Sequence, residues 1–415
     1  MSTLPKTQLA PLPGFGLPLV LPALVMIAVT YGLARFSYGL FLPEFRSTFD
    51  LGPELLGLIG GGSYAGYCVA ILATGYLCRR FSPRNVVAIA GVVATTGMSL
   101  IAVAPSGATL ATGVLVAGIA AGFASPPMGD AVQARIEERR HGSANTWINS
   151  GTSIGVLASG PVALLAGAAW RPAWMLFAFA ALAATLWCWR TLPSVPPTAS
   201  TLTTSHRPPL GLSTFKRPQA LTLMASAGIM GLVSSVYWTF SRDLIVQQGA
   251  VGPQTSIVFW MVLGASGIVG GLAGWLVLRW GLRKVLKLSL IGFGLAIIAL
   301  AAAPGAISVV FASAAGFGAI YILLTGAYLV WSIRVFYDQP SLGITLAFLL
   351  IAIGQVIGAP LAGVIANLGG TQAAFWTFGL VAIVGAGFGP SRRGHGSASE
   401  SRQSVPPQRT YVPAS

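Results

Sequence analysis

Charged side chains are scarce in this chain. Of 415 residues only 8% are Asp, Glu, Lys or Arg, and only nine are acidic. Soluble globular proteins carry about 25% charged residues. A chain with so few charges and 54% hydrophobic residues cannot cover a water-facing surface, whereas lipid solvates apolar side chains directly. The composition therefore excludes an ordinary soluble domain and predicts a membrane protein.

Cysteine and histidine are also few, with three of each. Cys68, Cys78 and Cys188 lie in apolar stretches, without the spacing of a disulfide framework or a metal site. The histidines fall in polar segments, and the sequence contains no nucleophile elbow or phosphate-binding loop. We therefore expect no catalytic residues, no metal and no cofactor, and predict that the protein is not an enzyme.

Apolar runs fill most of the chain, and each is long enough to cross a bilayer as a helix, which takes about 20 residues. Most of the breaks between them carry Pro, Gly or Ser. The pattern predicts an all-α integral membrane protein with twelve transmembrane helices. The predicted spans are 17–42, 53–78, 85–104, 107–130, 145–168, 172–190, 219–243, 255–279, 285–303, 306–331, 341–366 and 371–390.

The spans divide into two predicted six-helix bundles, 17–190 and 219–390. The longest interior break, 191–218, is rich in Pro, Ser and Thr and is predicted to be a cytoplasmic linker. Residues 1–16 are predicted to be a cytoplasmic N-terminal segment, and 391–415 a disordered cytoplasmic tail rich in Ser, Arg and Pro.

The basic residues lie in short clusters between the spans, so the net charge of +15 does not indicate nucleic-acid binding. With the N-terminus in the cytoplasm, 20 of the 24 Lys and Arg residues fall on the cytoplasmic side and three on the outer side. This bias is the positive-inside signal, and basic clusters also suit membrane lipid headgroups. We expect a multi-pass protein of the bacterial inner (plasma) membrane with both termini cytoplasmic.

The chain aligns with itself at an offset of 199 residues. Matches of the rarer residue types fall at equivalent places in the two sets of spans, which predicts two pseudo-symmetric halves with a substrate site between them at mid-membrane. The matched pairs include Tyr38 with Tyr237, Arg80 with Arg279, Arg84 with Arg283, Pro105 with Pro304, Gly155 with Gly354, and Pro161 with Pro360.

One loop motif occurs in both halves, between spans two and three and between spans eight and nine. Both copies resemble the major facilitator superfamily pattern Gly-x-Leu-x-Asp-Arg-x-Gly-Arg-Lys. The Asp position holds Arg79 in one copy and Leu278 in the other, so a latch that uses this Asp is absent or built differently. The glycines are expected to allow close helix packing. The residues of this gate or loop motif are Gly75, Arg79, Arg80, Arg84, Gly274, Arg279, Gly281 and Arg283.

The resemblance to the major facilitator superfamily covers residues 17–390. The stretch 31–43, which reads YGLARFSYGLFLP, also resembles the YbfB/YjiJ-like bacterial branch of that superfamily. The resemblance implies a secondary transporter without a cofactor, whose cavity is lined mainly by spans 1, 4, 7 and 10.

Arg35 is a charged residue inside the first span. A charge at the centre of a bilayer costs about 2.5–3.5 kcal/mol on insertion scales, so it normally faces a protein interior or a wet cavity. Tyr31 and Tyr38 stand at i−4 and i+3, which predicts one shared helical face able to bind an anionic group. In the alternative interpretation, Arg35 braces helix packing or extends to the outer surface.

Other polar and aromatic residues of the spans are candidate substrate contacts. Tyr237 and Trp238 in span seven lie opposite the Tyr38 region in the repeat, and Tyr328 lies in span ten. Asn149 and Gln355 are amides within spans five and eleven. Each of them either lines a cavity or serves helix packing and the membrane interface.

Transport coupled to an ion requires a titratable group, and none of the nine acids lies at a predicted mid-membrane position. Asp130 at the end of span four and Asp243 at the end of span seven are the candidate proton carriers, with gate salt bridges as the alternative role. Glu44 and Arg46, and Arg242 and Asp243, are close in sequence and are predicted to form pairs at the rim.

Three hypotheses for the function follow. The first is a monomeric secondary transporter, or permease, that moves a small molecule such as an organic anion by alternating access, with Arg35 as the anion contact. The second is proton-coupled efflux of hydrophobic or cationic compounds, with Arg35 in a structural role. The third is a membrane sensor or scaffold that transports nothing.

Overall fold

The computed structural model describes residues 16–194 and 219–390. The predictions for 1–15, for most of the linker and for the tail after 390 lie outside these residues. Helices occupy nearly all of the described chain because backbone N–H and C=O groups in a bilayer must bond within their own segment. The spans are α1 (Leu17–Leu40), α2 (Pro53–Arg80), α3 (Pro83–Ala102), α4 (Gly107–Arg135), α5 (His141–Ala166), α6 (Trp170–Thr191), α7 (Ala220–Gln247), α8 (Pro253–Trp280), α9 (Leu282–Ala302), α10 (Ile307–Val335), α11 (340–369) and α12 (371–385).

The prediction of twelve spans is confirmed, although α11 and α12 form one helical run, Pro340–Gly385. Gly370 divides this run because its φ of 85° and ψ of 157° are not helical, and glycine adopts a positive φ without the steric penalty of a side chain. Pro residues begin α2, α3, α8 and α11, where the missing proline N–H leaves no helical bond unmade.

The repeat predicted from the sequence recurs in the packing of the helices. A Cβ at Gly155 in α5 would overlap the backbone carbonyl of Ala28 in α1, and one at Gly354 in α11 would overlap that of Gly228 in α7. Pro161 and Pro360 lie further along the same two helices. Helices α1 and α5 of the first half therefore pack as α7 and α11 do in the second.

The halves meet along a seam that includes two closely packed helix pairs. In one, α2 packs on α11, with Gly61 against Pro360 and Gly57 against the carbonyl of Ala359; in the other, α5 packs on α8, with Gly264 against the backbone of Leu157. These glycines place backbones in direct contact, the arrangement that small residues permit in membranes.

We predict that Gly354→Val lowers the free energy of unfolding by about 1–3 kcal/mol or more, because overpacking a close helix contact forces the backbones apart. Gly274→Val is the matched control, since a Cβ at Gly274 would meet nothing within 4 Å. Melting of the purified protein in detergent measures both. Equal melting temperatures for the two variants would contradict the packing derived from the repeat.

Candidate functional site

Arg35 lies at the end of a π-helical segment of α1, Ala28–Phe36. In a π-helix the backbone bonds run from i to i+5 and the turn is wider than in an α-helix, a feature frequent at functional sites. The hydroxyl of Ser37 donates to the carbonyl of Gly32, also five residues back, at 3.0 Å. This wide turn holds Arg35 in the interior, where 6% of the residue is exposed.

Four aromatic rings surround the Arg35 guanidinium. Its Cζ lies 4.1 Å from the ring centroid of Tyr67, 5.1 Å from Tyr64, 5.3 Å from Phe36 and 5.8 Å from Tyr31. We call these four residues the Arg35 cage. Rings within about 6 Å attract a cation through their negative faces, and more strongly where water is excluded.

The polar contact of Arg35 crosses from the first half to the second. Its Nη2 donates to Oε1 of Gln355 in α11 at 2.7 Å. The amide nitrogen of Gln355 donates to the hydroxyl of Ser234 in α7 at 3.2 Å and, more weakly, to that of Tyr321 in α10 at 3.4 Å. Arg35 Nε is buried without a hydrogen-bond partner. Arg35 and Gln355 therefore link α1 of the first half to α7, α10 and α11 of the second half.

Aromatic side chains close the centre beside this contact. Phe36 of α1 stacks on Trp238 of α7 with ring centroids 4.2 Å apart, and Trp238 meets Tyr321 edge-on at 5.2 Å. A void of about 10 Å³ remains next to Trp238 and Tyr321. A single water needs at least about 10–15 Å³, so this void is too small for an organic solute.

Two ion pairs join the halves at the end where α1 and α7 finish. Arg46 donates through Nε and Nη2 to the two carboxylate oxygens of Asp243, at 3.0 and 2.7 Å. Arg242 donates to Glu44 at 2.6 Å, to the hydroxyl of Ser256 at 3.0 Å, and to the carbonyl of Leu40. We call Glu44, Arg46, Arg242 and Asp243 the gate cluster.

The prediction that neighbours in sequence pair within each half is wrong for the gate cluster. Each arginine pairs with the acid of the other half. Glu44 and Asp243 are separated by 199 residues, the repeat offset, so the two acids are equivalent positions. Glu44 and Arg46 lie on the short helix Leu42–Phe49, which follows α1 and packs against the end of α7. The arginines therefore reach across the seam, and this end of the molecule is closed.

Tyr38 and Tyr237 are not where the sequence placed them. The hydroxyl of Tyr38 donates to the carbonyl of Leu56 at 2.9 Å and its ring stacks on Phe45, whereas the Arg35 guanidinium is surrounded by other rings. Tyr38 follows the π-helical segment, so the i+3 spacing of a regular α-helix does not apply to it. Tyr237 is fully buried within the second half, stacked on Phe317 at 3.8 Å and bonded to Ser313.

Two other predicted contacts lie away from Arg35. Tyr328 bonds the hydroxyl of Ser226 at 2.7 Å and stacks on Trp331, within the second half. Asn149 is exposed near the start of α5. Helix α5 runs parallel to α1, with Gly151 against Leu24 and Gly155 against Ala28, so Asn149 lies nearer the start of α1 than Arg35. Asp130 is half-buried in α4, and nothing in its position tests a role in coupling.

Most of the loop-motif arginines lie over aromatic rings, at the end opposite the gate cluster. Arg80 lies over Tyr76 at 5.4 Å, and Arg84 over Trp189 at 4.2 Å. In the second-half loop, Arg279 lies over Trp275 at 5.4 Å, whereas Arg283 is exposed. Arg79 is exposed and lies 6.0 Å from the Tyr76 ring.

The expectation of close packing at the loop-motif glycines is wrong for Gly274, where the surrounding space is open. Gly281 instead serves the turn between α8 and α9, with a φ of 80° that glycine adopts readily.

An apolar groove of about 340 Å³ lies between the first turns of α1 and Trp147. Its lining is almost entirely apolar, and it is separate from the Arg35 site.

The sequence pattern missed Tyr64 and Tyr67 as cage residues, and it left Ser234 and Tyr321 out of the candidate site. Tyr64 and Tyr67 are three residues apart on α2, so the sequence does predict that they share a helical face. Their spacing does not predict that this face packs against α1. Of the predicted substrate contacts, Tyr31, Arg35 and Gln355 meet, and Trp238 lies beside them through Phe36 and Tyr321.

Comparison with known proteins agrees with this architecture. Residues 24–339 match the sequence profile of the Major Facilitator Superfamily. The chain belongs to this family. It is 24% identical over 319 residues to "Transcription regulatory protein OpdE" of Pseudomonas aeruginosa, an alignment that covers 71% of this chain and 74% of that protein. The narrower resemblance to the YbfB/YjiJ-like branch stays a prediction.

Solved structures of transporters share the fold. A point mutant of the nucleoside transporter NupG superposes with a TM-score of 0.76 at 13% identity, covering 89% of this chain and 98% of that one. A D-xylose-proton symporter gives 0.74 at 15%, covering 90% and 97%. A bacterial homologue of the human lysosomal transporter Spinster, inward-facing and unoccupied, gives 0.72 at 14%, covering 91% and 96%.

We predict that Asp243→Asn opens the gate-cluster end. Loss of a charge-assisted bond to a buried group costs about 1.5–3 kcal/mol, which favours separation of the halves at this end by about tenfold or more. Thr239, 2% exposed beneath the gate cluster, provides the probe as Thr239→Cys in a background lacking Cys68, Cys78 and Cys188. The rate of labelling by a membrane-impermeant maleimide is the measurement.

Glu137→Gln is the control for this experiment, because Glu137 and its partner Arg139 have side chains 53% and 69% exposed and such pairs contribute little. The charge exchange Arg46→Asp with Asp243→Arg should restore slow labelling. Unchanged labelling in Asp243→Asn would contradict a gate role for the cluster.

Proposed function

We propose that the protein is a secondary transporter that moves a small organic anion across the membrane by alternating access, with Arg35 as its anion contact. The observation that carries the proposal is a guanidinium buried between the two halves, ringed by aromatic side chains and bonded to a neutral amide. A charge buried in a membrane protein marks a functional site by default, because its burial is costly. Membership of a family with transporters among its structural neighbours supports transport rather than enzyme catalysis.

The closed centre supports an alternating mechanism. The void beside Trp238 and Tyr321 is too small for an organic solute, so a substrate bound there requires the halves to move apart. The gate cluster and the Arg35–Gln355 bond both cross the seam. Transport then requires two states in which these contacts are made or broken, and a ligand shifts the balance by binding one state better.

The arrangement of charge supports an orientation with both termini in the cytoplasm of a bacterial inner membrane. The loop-motif arginines lie at one end of the helices and the gate cluster at the other, and basic loops prefer the cytoplasmic side. The gate cluster would then face outward. We expect a reporter fused after Ser415 to be active as a cytoplasmic fusion and inactive as an exported one; the reverse result would contradict this orientation.

Two other functions have some support. Coupling to protons is favoured by one structural neighbour, a D-xylose-proton symporter; in proton-coupled efflux of hydrophobic or cationic compounds, Arg35 is structural and the coupling acid is Asp130 or Asp243. A sensor without transport is favoured by one relative, which is named as a transcription regulatory protein. Solute flux in proteoliposomes separates the sensor from both transporters.

We predict that Arg35→Gln abolishes the rise in melting temperature that organic anions produce in the wild type. A ligand that binds only the folded state raises its melting temperature by mass action, and without the guanidinium the site holds no cation for the anion to meet. A thermal-shift screen of anions, sugars, cations and hydrophobic drugs on purified protein is the measurement.

Arg171→Gln is the matched control, since Arg171 bonds the carbonyl of Ala104 and lies over Trp170, outside the candidate site. Anion shifts present in the wild type and in Arg171→Gln but lost in Arg35→Gln support the proposal. If cations or drugs shift all three proteins equally and anions shift none, Arg35 is structural and the efflux function replaces this one.

A further inference from the structure

We propose that the amide of Gln355 occupies the place of the substrate's carboxylate, so that Gln355 is an internal competitor of the anion. The inference rests on the proposed function and extends it to a substrate class, monocarboxylates with an apolar body. It also assigns Gln355 a specific role, because the substrate must displace this side chain to bind. Two nitrogens of Arg35 support the inference: Nη2, which bonds Gln355, and Nε, which is buried without a partner.

The guanidinium edge that faces Gln355 is only half satisfied. Arg46 in the gate cluster uses its Nε and Nη2 together to bond both oxygens of Asp243, the side-by-side geometry that a carboxylate matches. On Arg35 the same edge has Nη2 bonded to Gln355 Oε1, while Nε is buried without a partner. An amide offers one oxygen where a carboxylate offers two. A carboxylate in this position would satisfy the whole edge.

The charge of Arg35 also points to a monoanion. The carboxylates of Glu44, Glu137 and Asp243 pair with arginines other than Arg35. The rings of the Arg35 cage attract the cation but bring no negative charge. A buried charge is destabilising unless it is paired, so one unit of negative charge from a ligand completes the site. The aromatic walls formed by Tyr67, Phe36 and Trp238 suit an apolar body attached to that carboxylate.

The orientation of the Gln355 amide is fixed by its neighbours. A guanidinium has only donors, so the amide must turn its oxygen toward Arg35. Its nitrogen then donates to the hydroxyls of Ser234 and Tyr321. These bonds hold Gln355 in place in the closed conformation, and its displacement removes the central polar contact between α1 and α11. Occupancy of the site by an anion therefore weakens the seam between the halves and links binding to movement.

Gln355→Glu tests the inference by building the carboxylate into the chain. We expect this variant to melt at a higher temperature than the wild type and to lose the thermal shift produced by sodium benzoate, because Arg35 is already paired. Benzamide, the neutral counterpart of benzoate, should shift neither protein. Gln254→Glu is the matched control, since Gln254 is exposed in the first turn of α8 and should leave the benzoate shift unchanged.

Gln355→Met removes the competitor without adding a charge, and it keeps the inference testable if Gln355→Glu does not fold. We expect benzoate to bind Gln355→Met at least as tightly as the wild type. A loss of affinity of about tenfold or more, the scale expected when a buried polar partner of the ligand is removed, would mean that Gln355 is a substrate ligand and would overturn the inference.

The remaining outcomes separate this inference from the proposed function. If benzoate shifts the wild type and Gln355→Glu equally, Gln355 does not stand in for a carboxylate; the inference fails while an anion site at Arg35 survives. If neither benzoate nor any other organic anion shifts or crosses membranes with the wild type, the proposed function fails and the inference fails with it. Loss of the shift in Gln355→Glu alone supports both.

Discussion

The burial of one positive charge between two helical bundles is the constraint on which the rest of this structure depends. Arg35 lies where the halves meet, and the surrounding chain compensates for its charge in several ways. The π-helical turn directs the side chain inward, four rings surround the guanidinium, and Gln355 supplies an oxygen from the opposite half. None of these provides the negative charge that a buried cation requires. In this conformation, rings and an amide surround the Arg35 guanidinium, and none of them balances its positive charge.

The two halves share a scaffold and differ where function is expected. Glycines at equivalent positions, Gly155 and Gly354, bring equivalent helices together. Arg35, by contrast, has Ser234 as its counterpart in the second half, and that serine binds the amide that in turn binds Arg35. Residues that match in the repeat therefore give the two halves the same helix packing, and residues that differ make the centre asymmetric. The gate cluster combines both, with equivalent acids at Glu44 and Asp243 and arginines at positions that are not equivalent.

The sequence was sufficient to predict features that depend on local composition. The twelve spans, the repeat and the isolated charge in the first span were all readable, because bilayer thickness and the cost of a buried charge act on short segments. Contacts between distant residues were not readable. Gln355 was a candidate by type, but nothing in the sequence joined it to Arg35 across 320 residues. Tyr38 was misplaced because the spacing of a regular α-helix was assumed across a π-helical turn. The ion pairs were misassigned because each arginine bonds an acid of the other half and not its neighbour in sequence.

A structure determined with benzoate bound tests the central claim most directly. The account predicts the two carboxylate oxygens within about 2.7–2.9 Å of Nε and Nη2 of Arg35, with the Gln355 side chain turned away from the guanidinium. Benzoate bound elsewhere while Gln355 remains bonded to Arg35 would contradict it.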